Sequence, residues 1–382
     1  MIFLSLLLAC AASAEPGKPL AASGSLKDVY QYSASPSDGR PYFLNTLRTR
    51  LTLDARASLF RAHVDYDHEA LAGSFFRTRE YAAFGLAEAE PWLPMEKTLE
   101  SGQTWMWRQR LYRGWAGLET DGTIARFGRQ RIAWGTGKLW NPTDVLNAHQ
   151  PLSVEREERR GVDAFYARRA LGQLSQAELA WAPRDLWAGH ALLGRLRGHL
   201  GEYDGSLMGG KVAGSTGSWI TGGDFAGDLA EGTLHGEWSY TAPQSRTPFW
   251  KAAIGYDYAF PTQTKLWALR DAAVVAEYLH SGSGVLNPAR YDVAALLSGR
   301  EVTLAQDYLG LTYSKDVHPL VKLDLILLNN LNDGSQFFTP SAQWNALPDL
   351  YLTAGFQRFS GAKRTELGRA ANLVFLQSQY YF

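Results

Sequence analysis

Hydrophobic and polar residues alternate along most of this chain. The stretch TLRTRLTLDARAS places Leu47, Leu51 and Leu53 on one parity, and it places Arg48 and Arg50 on the other. The same two-residue period recurs in FRAHVDYDH, LHGEWSY, WKAAIGYDYAF and PLVKLDLILLN. Successive side chains of a strand point to opposite faces of the sheet. Each stretch therefore predicts a β-strand with one apolar face and one charged face.

Turn signals separate these stretches. ETDGT, APRD, LNDGS and NALPD contain the Asp-Gly and Pro-Asp pairs that are typical of tight turns between antiparallel strands. Longer connections are predicted at about residues 70–104, 133–160 and 281–302. Convincing helical patterns are few, so the pattern predicts an all-β chain of consecutive antiparallel strands.

Two architectures could use such strands. A large soluble sandwich would bury the apolar faces between two sheets. A closed transmembrane barrel would turn them toward lipid and its charged faces toward a wet lumen. Repeated charges within single strands and aromatic residues at strand ends, as in WMW, FW and YYF, favour the barrel. We therefore predict a transmembrane antiparallel up-and-down β-barrel of about 16 strands, within a range of about 14–18, with long extracellular loops.

The amino-acid composition is compatible with this prediction. The chain has 382 residues, of which 46% are hydrophobic and 20% are charged, and its 38 basic residues balance its 38 acidic ones. Nothing in this balance suggests a nucleic-acid partner. Beyond the first residues, no stretch approaches the roughly 18 apolar residues of a membrane-spanning helix.

The first residues suggest export. MIFLSLLLACAASAEP has an apolar run followed by Ala12-Ser13-Ala14, which predicts a secretory signal over residues 1–14. A lipoprotein anchor at Cys10, the only cysteine, is the alternative. Residues 15–41 are rich in Pro, Ser and Gly and are expected to form a periplasmic extension or a partial plug. The barrel is then expected over residues 42–382.

The chain ends with LVFLQSQYYF, in which Val374, Leu376, Tyr380 and Phe382 share one parity. This ending resembles the last strand of Gram-negative outer-membrane β-barrels, which commonly finish on Phe; Ser378 departs from the pattern. The resemblance implies residence in the outer membrane and contact with its lipid and lipopolysaccharide. It also implies recognition of Phe382 by the barrel assembly machinery.

A second resemblance is local, in RFGRQRIAWGTGKLWNPTDVLN. A Gly-Arg-Gln run at the end of a strand, followed by aromatic-Gly and Asn-Pro-x-Asp, is similar to sequences found in porin-like and alginate-export barrels. The resemblance indicates a class of barrel and no particular solute. The motif residues are Gly128, Arg129, Gln130, Trp134, Gly135, Asn141 and Asp144.

Two sets of charged residues are candidates for the pore. The run SVEREERRG lies in a long predicted loop, which either narrows the lumen or stays outside as a solvated loop. Its candidate constriction residues are Glu155, Arg156, Glu157, Glu158, Arg159 and Arg160. The predicted pore-lining residues are Arg48, Arg50, Arg61, His63, Asp65, Arg195, Arg197 and His199.

The basic members of the second set permit two interpretations. A ladder of arginines favours anions, because rings of one charge set the selectivity of a pore. Alternatively the arginines pair with carboxylates of the same parity, such as Asp54 and Asp65. Both interpretations remain open from the sequence.

We expect a passive, porin-like channel for small solutes, with anions as the candidate class. No catalytic set, cofactor or metal site is predicted. One rival function is an outer-membrane enzyme of phospholipase type, with His280 beside Ser281 and Ser283. The other is a plugged structural or assembly barrel. The sequence does not decide between a monomer and a trimer.

Overall fold

A computed structural model describes residues 19–86, 92–147, 150–159, 161–183, 189–212, 218–244, 247–297 and 301–382. The predicted signal over residues 1–14, with Cys10, lies outside the described residues. The helical elements are short: two 3-10 turns at Ser74–Arg77 and Pro288–Arg290, helix α1 at Arg79–Phe84 and helix α2 at Val293–Leu297. None of the described helices has the length and apolar character needed to cross a bilayer.

Nearly all other regular structure is β-strand. The strands are β1 (Leu20–Ala34), β2 (Pro41–Ala57), β3 (Phe60–Ala72), β4 (Glu96–Ser101), β5 (Trp105–Glu119), β6 (Thr123–Gln130), β7 (Val162–Ala170), β8 (Gln176–Ala182), β9 (Ala191–Leu200), β10 (Tyr203–Val212), β11 (Ser218–Leu229), β12 (Gly232–Pro243), β13 (Phe249–Ala259), β14 (Ala273–Ser281), β15 (Asp307–His318), β16 (Val321–Asn330), β17 (Gln336–Leu347), β18 (Leu350–Ser360) and β19 (Leu373–Tyr381).

The strands form one closed antiparallel ring. Each pairs with the next along the chain, and β1 pairs with both β2 and β19, which closes the ring. β4 is an exception, because it pairs with β5 at Met106–Arg110, while β6 pairs with the same edge of β5 at Gly114–Glu119. The barrel therefore has 18 strands, with β4 as an addition in line with β6. The predicted fold class is confirmed, and the strand count is two above the predicted value of about 16.

The extension or plug predicted for residues 15–41 is wrong for residues 20–34. These residues form β1, which pairs with β2 from Leu20 to Ala34 and with β19 from Ser25 to Ser33. Their Ser and Gly content concealed an alternation in which Lys27, Val29 and Ser33 are buried while Leu26 and Tyr30 are exposed. The first strand of the barrel therefore lies within the segment that composition had excluded.

The two ends of the barrel differ. At one end most connections are tight turns, such as residues 58–59, 230–231 and 348–349, and residues 260–272 form a longer one; β1 begins and β19 ends there. At the other end the connections are long, at residues 73–104, 131–161, 282–306 and 361–372. Short turns on the periplasmic side and long extracellular loops are typical of outer-membrane barrels.

The alternation predicted for the last strand is present. Gly24 and Phe382 exchange two backbone hydrogen bonds of 2.8 and 3.0 Å, which join the ends of the chain. Leu376 is opposite Tyr30 and Gln377 is opposite Val29, so that Leu376 faces outward and Gln377 faces the lumen. A Cβ on Gly24 would lie 2.6 Å from the Phe382 ring, so glycine is needed for this contact.

One strand changes parity partway along. In RQRLYRGWAGLE of β5, Arg108 and Arg110 have the parity of the charged inner wall, and beyond Tyr112 the inward parity moves to Trp115. The register between β3 and β5 shifts between Asp65 and Tyr66, which marks a β-bulge. The bulge inserts one residue and so keeps the charged and aromatic side chains of both halves of the strand inside, while the outward face is apolar except at Gln109.

We expect Leu376→Arg to destabilise the folded barrel by about 2–4 kcal/mol, because arginine facing lipid near mid-depth is desolvated. Gln377→Arg, one residue further along the same strand, should have a much smaller effect because it faces the wet lumen. Urea-induced unfolding in lipid vesicles measures both variants. Equal destabilisation of the two would contradict the assignment of the faces.

Candidate constriction of the lumen

The connection between β6 and β7, residues 131–161, folds back against the inner wall of the barrel; we call it the inner loop. It begins beside strands β7–β10. Ile132 and Trp134 are buried in a cluster with Ala164, Leu193 and Met208. The Trp134 indole also donates a 3.0 Å hydrogen bond to the carboxylate of Glu178 on β8. The loop therefore enters the lumen as soon as β6 ends.

Two buried glutamates then hold the backbone of the inner loop. Glu237 on β12 accepts hydrogen bonds from the backbone N–H of Thr136 and Gly137, both at 2.6 Å, and from the Asn141 amide and the Thr143 hydroxyl, both at 2.9 Å. A carboxylate that accepts several N–H groups replaces the partners that a β-ladder would otherwise provide.

Glu277 on β14 does the same for the next residues. It accepts from the backbone N–H of Lys138 at 2.8 Å and from that of Trp140 at 2.7 Å. His235 on β12 lies 3.1 Å from the same carboxylate. At Gly135 the backbone has a φ of 109°, and a Cβ there would lie 2.4 Å from Glu237 Oε1. This close approach requires glycine at position 135.

An apolar contact follows on strands β15–β17. Leu139 and Trp140 are buried against Tyr308, Leu328 and Phe337. Residues of the connections at 282–306 and 361–372 join the same cluster, which also contains Tyr291, Leu304, Ala305 and Leu367. The inner loop is thus packed between the barrel wall and two other connections from the same end.

Asp144 organises the loop from within. Its carboxylate accepts from the Asn147 backbone N–H at 3.1 Å and from the Arg159 guanidinium at 3.1 Å. The Asn147 side chain in turn accepts from the backbone N–H of Ile132 at 2.8 Å. Burial raises the pKa of the Asp144 carboxyl to about 7, although Arg159 and the Asn147 N–H favour its ionised form. Asn141 and Asp144 therefore act as structural residues that shape the loop.

The last part of the inner loop binds the wall through charge. Glu155 lies 2.8 Å from Lys27 on β1 and 2.9 Å from Arg48 on β2. Glu158 lies 3.1 Å from Arg50. Burial opposes the ionisation of Glu155, yet Arg48 and Lys27 hold its pKa down at about 2. These pairs attach Glu155 and Glu158, two of the predicted constriction residues, to the inner wall.

The contacts follow the ring of strands in order. The inner loop meets β7–β10, then β12 and β14, then β15–β17, then Gln357 on β18, and finally β1 and β2. The inner loop therefore runs around almost the whole inner circumference of the barrel. Arg156 and Glu157 belong to this last part of the loop, whereas Arg160 lies outside the described residues.

The inner loop and the wall share a cluster of paired charges, which we call the wall cluster. Glu69 on β3 is central: it contacts Arg48 at 2.6 Å, Arg108 at 2.7 Å and Arg110 at 2.9 Å. Five cations and five carboxylates take part, so their formal charges cancel. They are Lys27, Arg48, Arg50, Arg108 and Arg110 with Asp67, Glu69, Glu96, Glu155 and Glu158.

The other predicted pore-lining residues are also paired. Arg61 lies near Glu119, and His63 lies between Asp54 and Asp65. Arg195 contacts Asp224 at 2.9 Å, and both Arg197 and His199 contact Asp204. Of the two interpretations of this set, the geometry favours paired wall lining over an uncompensated ladder of arginines.

The Gly-Arg-Gln motif has a structural role at the end of β6. Arg129 forms a buried ion pair of 2.9 Å with Asp163 on β7, and its guanidinium also donates to the carbonyl oxygens of Leu93 and Leu111. The Gln130 amide donates to the carbonyl of Ala164. Gly128, with a φ of 125°, lies where a Cβ would be 2.3 Å from the Gly114 carbonyl oxygen. The motif therefore closes β6 onto its neighbours and does not line the pore.

Sequence reasoning missed the residues that anchor the loop, above all Glu178 and Glu277. A usable signal existed for both: each is a glutamate within a strand, on the inward parity, between small or apolar neighbours. Lys27 was missed because its strand had been assigned to an extension. Arg108 and Arg110 were missed because of the parity change in β5.

The catalytic alternative places His280 beside a serine. The His280 ring instead lies 2.8 Å from Asp307, and Tyr278 donates to the same carboxylate at 2.6 Å. Tyr278 and His280 share the outward parity of β14, while Ser281 is fully buried and contacts Ser283 at 3.3 Å. Among the hydrogen bonds of the described residues, none joins His280 to either serine.

Comparisons with known proteins give a likeness of fold. No protein family matches this sequence, and no curated protein is similar to it. Solved structures do match: OccK8 (OprE) of Pseudomonas aeruginosa has a TM-score of 0.57 at 9% identity and covers 95% of this chain and 98% of its own. OccAB1 of Acinetobacter baumannii has a TM-score of 0.55 at 10% identity, with 95% and 96% covered. OccD3 (OpdP) of Pseudomonas aeruginosa has a TM-score of 0.53 at 10% identity, with 94% and 91% covered. At this level of identity the likeness is one of fold, and this chain shares the closed antiparallel barrel of these structures.

We expect Glu237→Gln to loosen the inner loop, because the amide nitrogen of glutamine cannot accept the N–H groups that both carboxylate oxygens now bind. Hydrogen exchange of the backbone amides at residues 136–143 should speed up by about tenfold or more, which corresponds to about 1.4 kcal/mol. The exposed Glu100→Gln is the matched control. Unchanged protection in Glu237→Gln would contradict the anchoring role.

Proposed function

We propose that this protein is a porin-like channel in the outer membrane of a Gram-negative bacterium. Small solutes would diffuse passively through a lumen that the inner loop narrows. The main observation in support of this proposal is that the inner loop follows the inner wall of an 18-stranded barrel around almost its whole circumference. A barrel of this size is wider than its own side chains can fill, so a wall-bound loop reduces the opening and gives it a chemical character.

The mechanism requires no covalent chemistry and no cofactor. Solutes enter by diffusion, and the width of the lumen and the charges of its lining decide which ones pass. The three anchors of the inner loop, at Glu178, at Glu237 with Glu277, and at Lys27 with Arg48, hold the narrow part in one position. A fixed constriction gives the channel a constant size.

Anions remain the proposed solute class, but the support comes from the inner loop and not from the wall. The wall cluster is neutral, whereas Arg131 and Arg156 of the inner loop have no salt bridge among the described residues. Burial lowers the pKa of Arg156, and burial together with the nearby Arg131 lowers the pKa of Arg159. Guanidinium groups without a carboxylate partner at the narrow part of a pore favour the passage of anions.

The proposal predicts discrete channels. Purified protein in a planar lipid bilayer should insert in steps of uniform conductance. The reversal potential in a salt gradient should have the sign of an anion preference. Negligible conductance would instead support the plugged barrel, and a cation preference would contradict the anion part of the proposal alone.

A double substitution tests whether the solute path passes the inner loop. Glu155→Gln with Glu158→Gln removes two negative charges from the wall cluster and leaves Lys27, Arg48 and Arg50 in excess. We expect the reversal potential to shift further toward anions while the conductance changes little. Asp121→Asn, in the tight turn between β5 and β6, is the control for a charge far from the loop. A double variant that matches this control would place the path elsewhere.

A further inference from the structure

Among the described residues, one carboxylate lies at mid-depth on the outer face of the barrel. Residues directly opposite on neighbouring antiparallel strands face the same side of the sheet. One such row crosses seven strands and runs from a tryptophan near the tight-turn end to a tryptophan near the long-loop end. Its members are Trp344, Leu352, Ser378, Asp28, Leu47, Ala70 and Trp107.

Asp28 is the middle member of this row. Trp344, Leu47 and Trp107 are exposed at the outer surface, and tryptophans mark the two edges of the lipid-facing belt. Asp28 therefore lies halfway between the edges. If the protein spans the membrane as proposed above, this half-buried carboxylate faces hydrocarbon, which is costly for an ionisable group. Its hydrogen bond from the Asn45 amide, at 2.7 Å, uses one of several acceptor positions.

Other polar side chains surround Asp28 on the same face. Thr49, His68 and Gln109 are opposite one another on β2, β3 and β5, in the row next to that of Asp28. Together they form what we call the outer polar patch, on β19, β1, β2, β3 and β5. Its members are Asp28, Asn45, Thr49, His68, Gln109 and Ser378.

The opposite side of the barrel looks different. The outward His280 and Asp307 lie at the long-loop end of β14 and β15, where they contact each other. Around mid-depth, strands β12–β14 present outward residues that are apolar or aromatic, as a lipid-facing belt requires. They are Leu234, Trp238, Ala252, Ile254, Tyr256 and Ala276. The outer polar patch is therefore a local feature of one side.

The chain covers another outward charge, that of Lys315, with its own residues, and Asp28 differs from it in this respect. Lys315 on β15 is opposite the outward Leu323. The connection at residues 260–272 folds over it, so that its ammonium donates to the carbonyl oxygens of Trp267 and Arg270 and lies 4.8 Å from the Trp267 ring. Lys315 is consequently buried. Among the described residues, no connection folds over Asp28 in this way.

We propose that a second copy of this chain covers the outer polar patch. The patch contains both donors and acceptors, and it contains one carboxylate and one imidazole, so two copies can satisfy each other. Asp28 and His68 lie on β1 and β3, about 10 Å apart with β2 between them, which is too far to pair within one copy. A two-fold arrangement brings Asp28 of each copy to His68 of the other.

The shape of the patch suits this contact. Ala70 follows His68 on the outward parity of β3 and lies opposite Leu47 of β2, while the rings of Tyr66 and Trp107 flank His68 at centroid distances of 5.2 and 6.5 Å. Small residues let two transmembrane surfaces approach closely, and polar groups between them hydrogen-bond across the interface. Lipid tails offer neither donor nor acceptor, and lipid head groups do not reach mid-depth.

Self-association in mild detergent tests this proposal. The mass of the protein without detergent should correspond to more than one copy. Asp28→Leu should weaken association by about tenfold or more, because a symmetric contact loses two polar pairs. Thr221→Leu, on the outward face of β11, is the control and should associate like the original. A single copy in the original protein, or unchanged association of Asp28→Leu, would overturn the proposal.

A disulfide experiment tests the specific pair. Chains with Asp28→Cys and chains with His68→Cys, both carrying Cys10→Ser, are co-expressed and oxidised in membranes; a cross-linked pair is expected. The matched control joins Leu234→Cys and Ala276→Cys, which also lie two strands apart, and it should stay uncrosslinked. Equal cross-linking of both pairs, or none at positions 28 and 68, would contradict the contact. The conductance of Asp28→Leu is measured separately. If the protein conducts ions but does not self-associate, only the proposed contact between copies is rejected, and the proposed channel function stands.

Discussion

The structure depends on one constraint: backbone N–H and C=O groups within the sheet need hydrogen-bond partners, and hydrocarbon provides none. The ring meets this need by closing β19 onto β1, with Gly24 and Phe382 completing the seam. The end of the chain is therefore part of the structural solution. The same rule operates inside the lumen, where the inner loop has no β-ladder.

The inner loop satisfies this rule with side chains in place of a ladder. Glu237 and Glu277 accept the consecutive N–H groups of residues 136–140 and thereby fix an irregular segment to a regular wall. Two more kinds of contact hold the rest of the loop, apolar packing of Leu139 and Trp140 and ion pairs at Glu155 and Glu158. Because the anchors lie on different sides of the ring, the loop cannot leave the lumen by breaking one of them.

Charge has opposite consequences on the two faces of the wall. Inside, the wall cluster gathers ten charged side chains that pair with one another, so it contributes cohesion and little net field. Outside, where hydrocarbon offers no partner, a charge is costly unless the chain pairs it, as His280 is paired with Asp307, or covers it. Lys315 has its remedy in the connection at residues 260–272, whereas Asp28 keeps a surface that a second copy could complete.

The sequence by itself determined the fold class, because alternation with period two assigns each strand residue to one face of the sheet. This assignment does not depend on which strands lie on either side. Even the parity change in β5 was visible. The assignment of residues 20–34 to an extension was wrong because it followed their Ser and Gly content and not the alternation of their side chains, which form β1. Which charges meet was decided only by the tertiary structure. Register and ring closure bring Glu155 to Lys27 and Thr136 to Glu237, across 128 and 101 positions of sequence, and no local pattern encodes such distances.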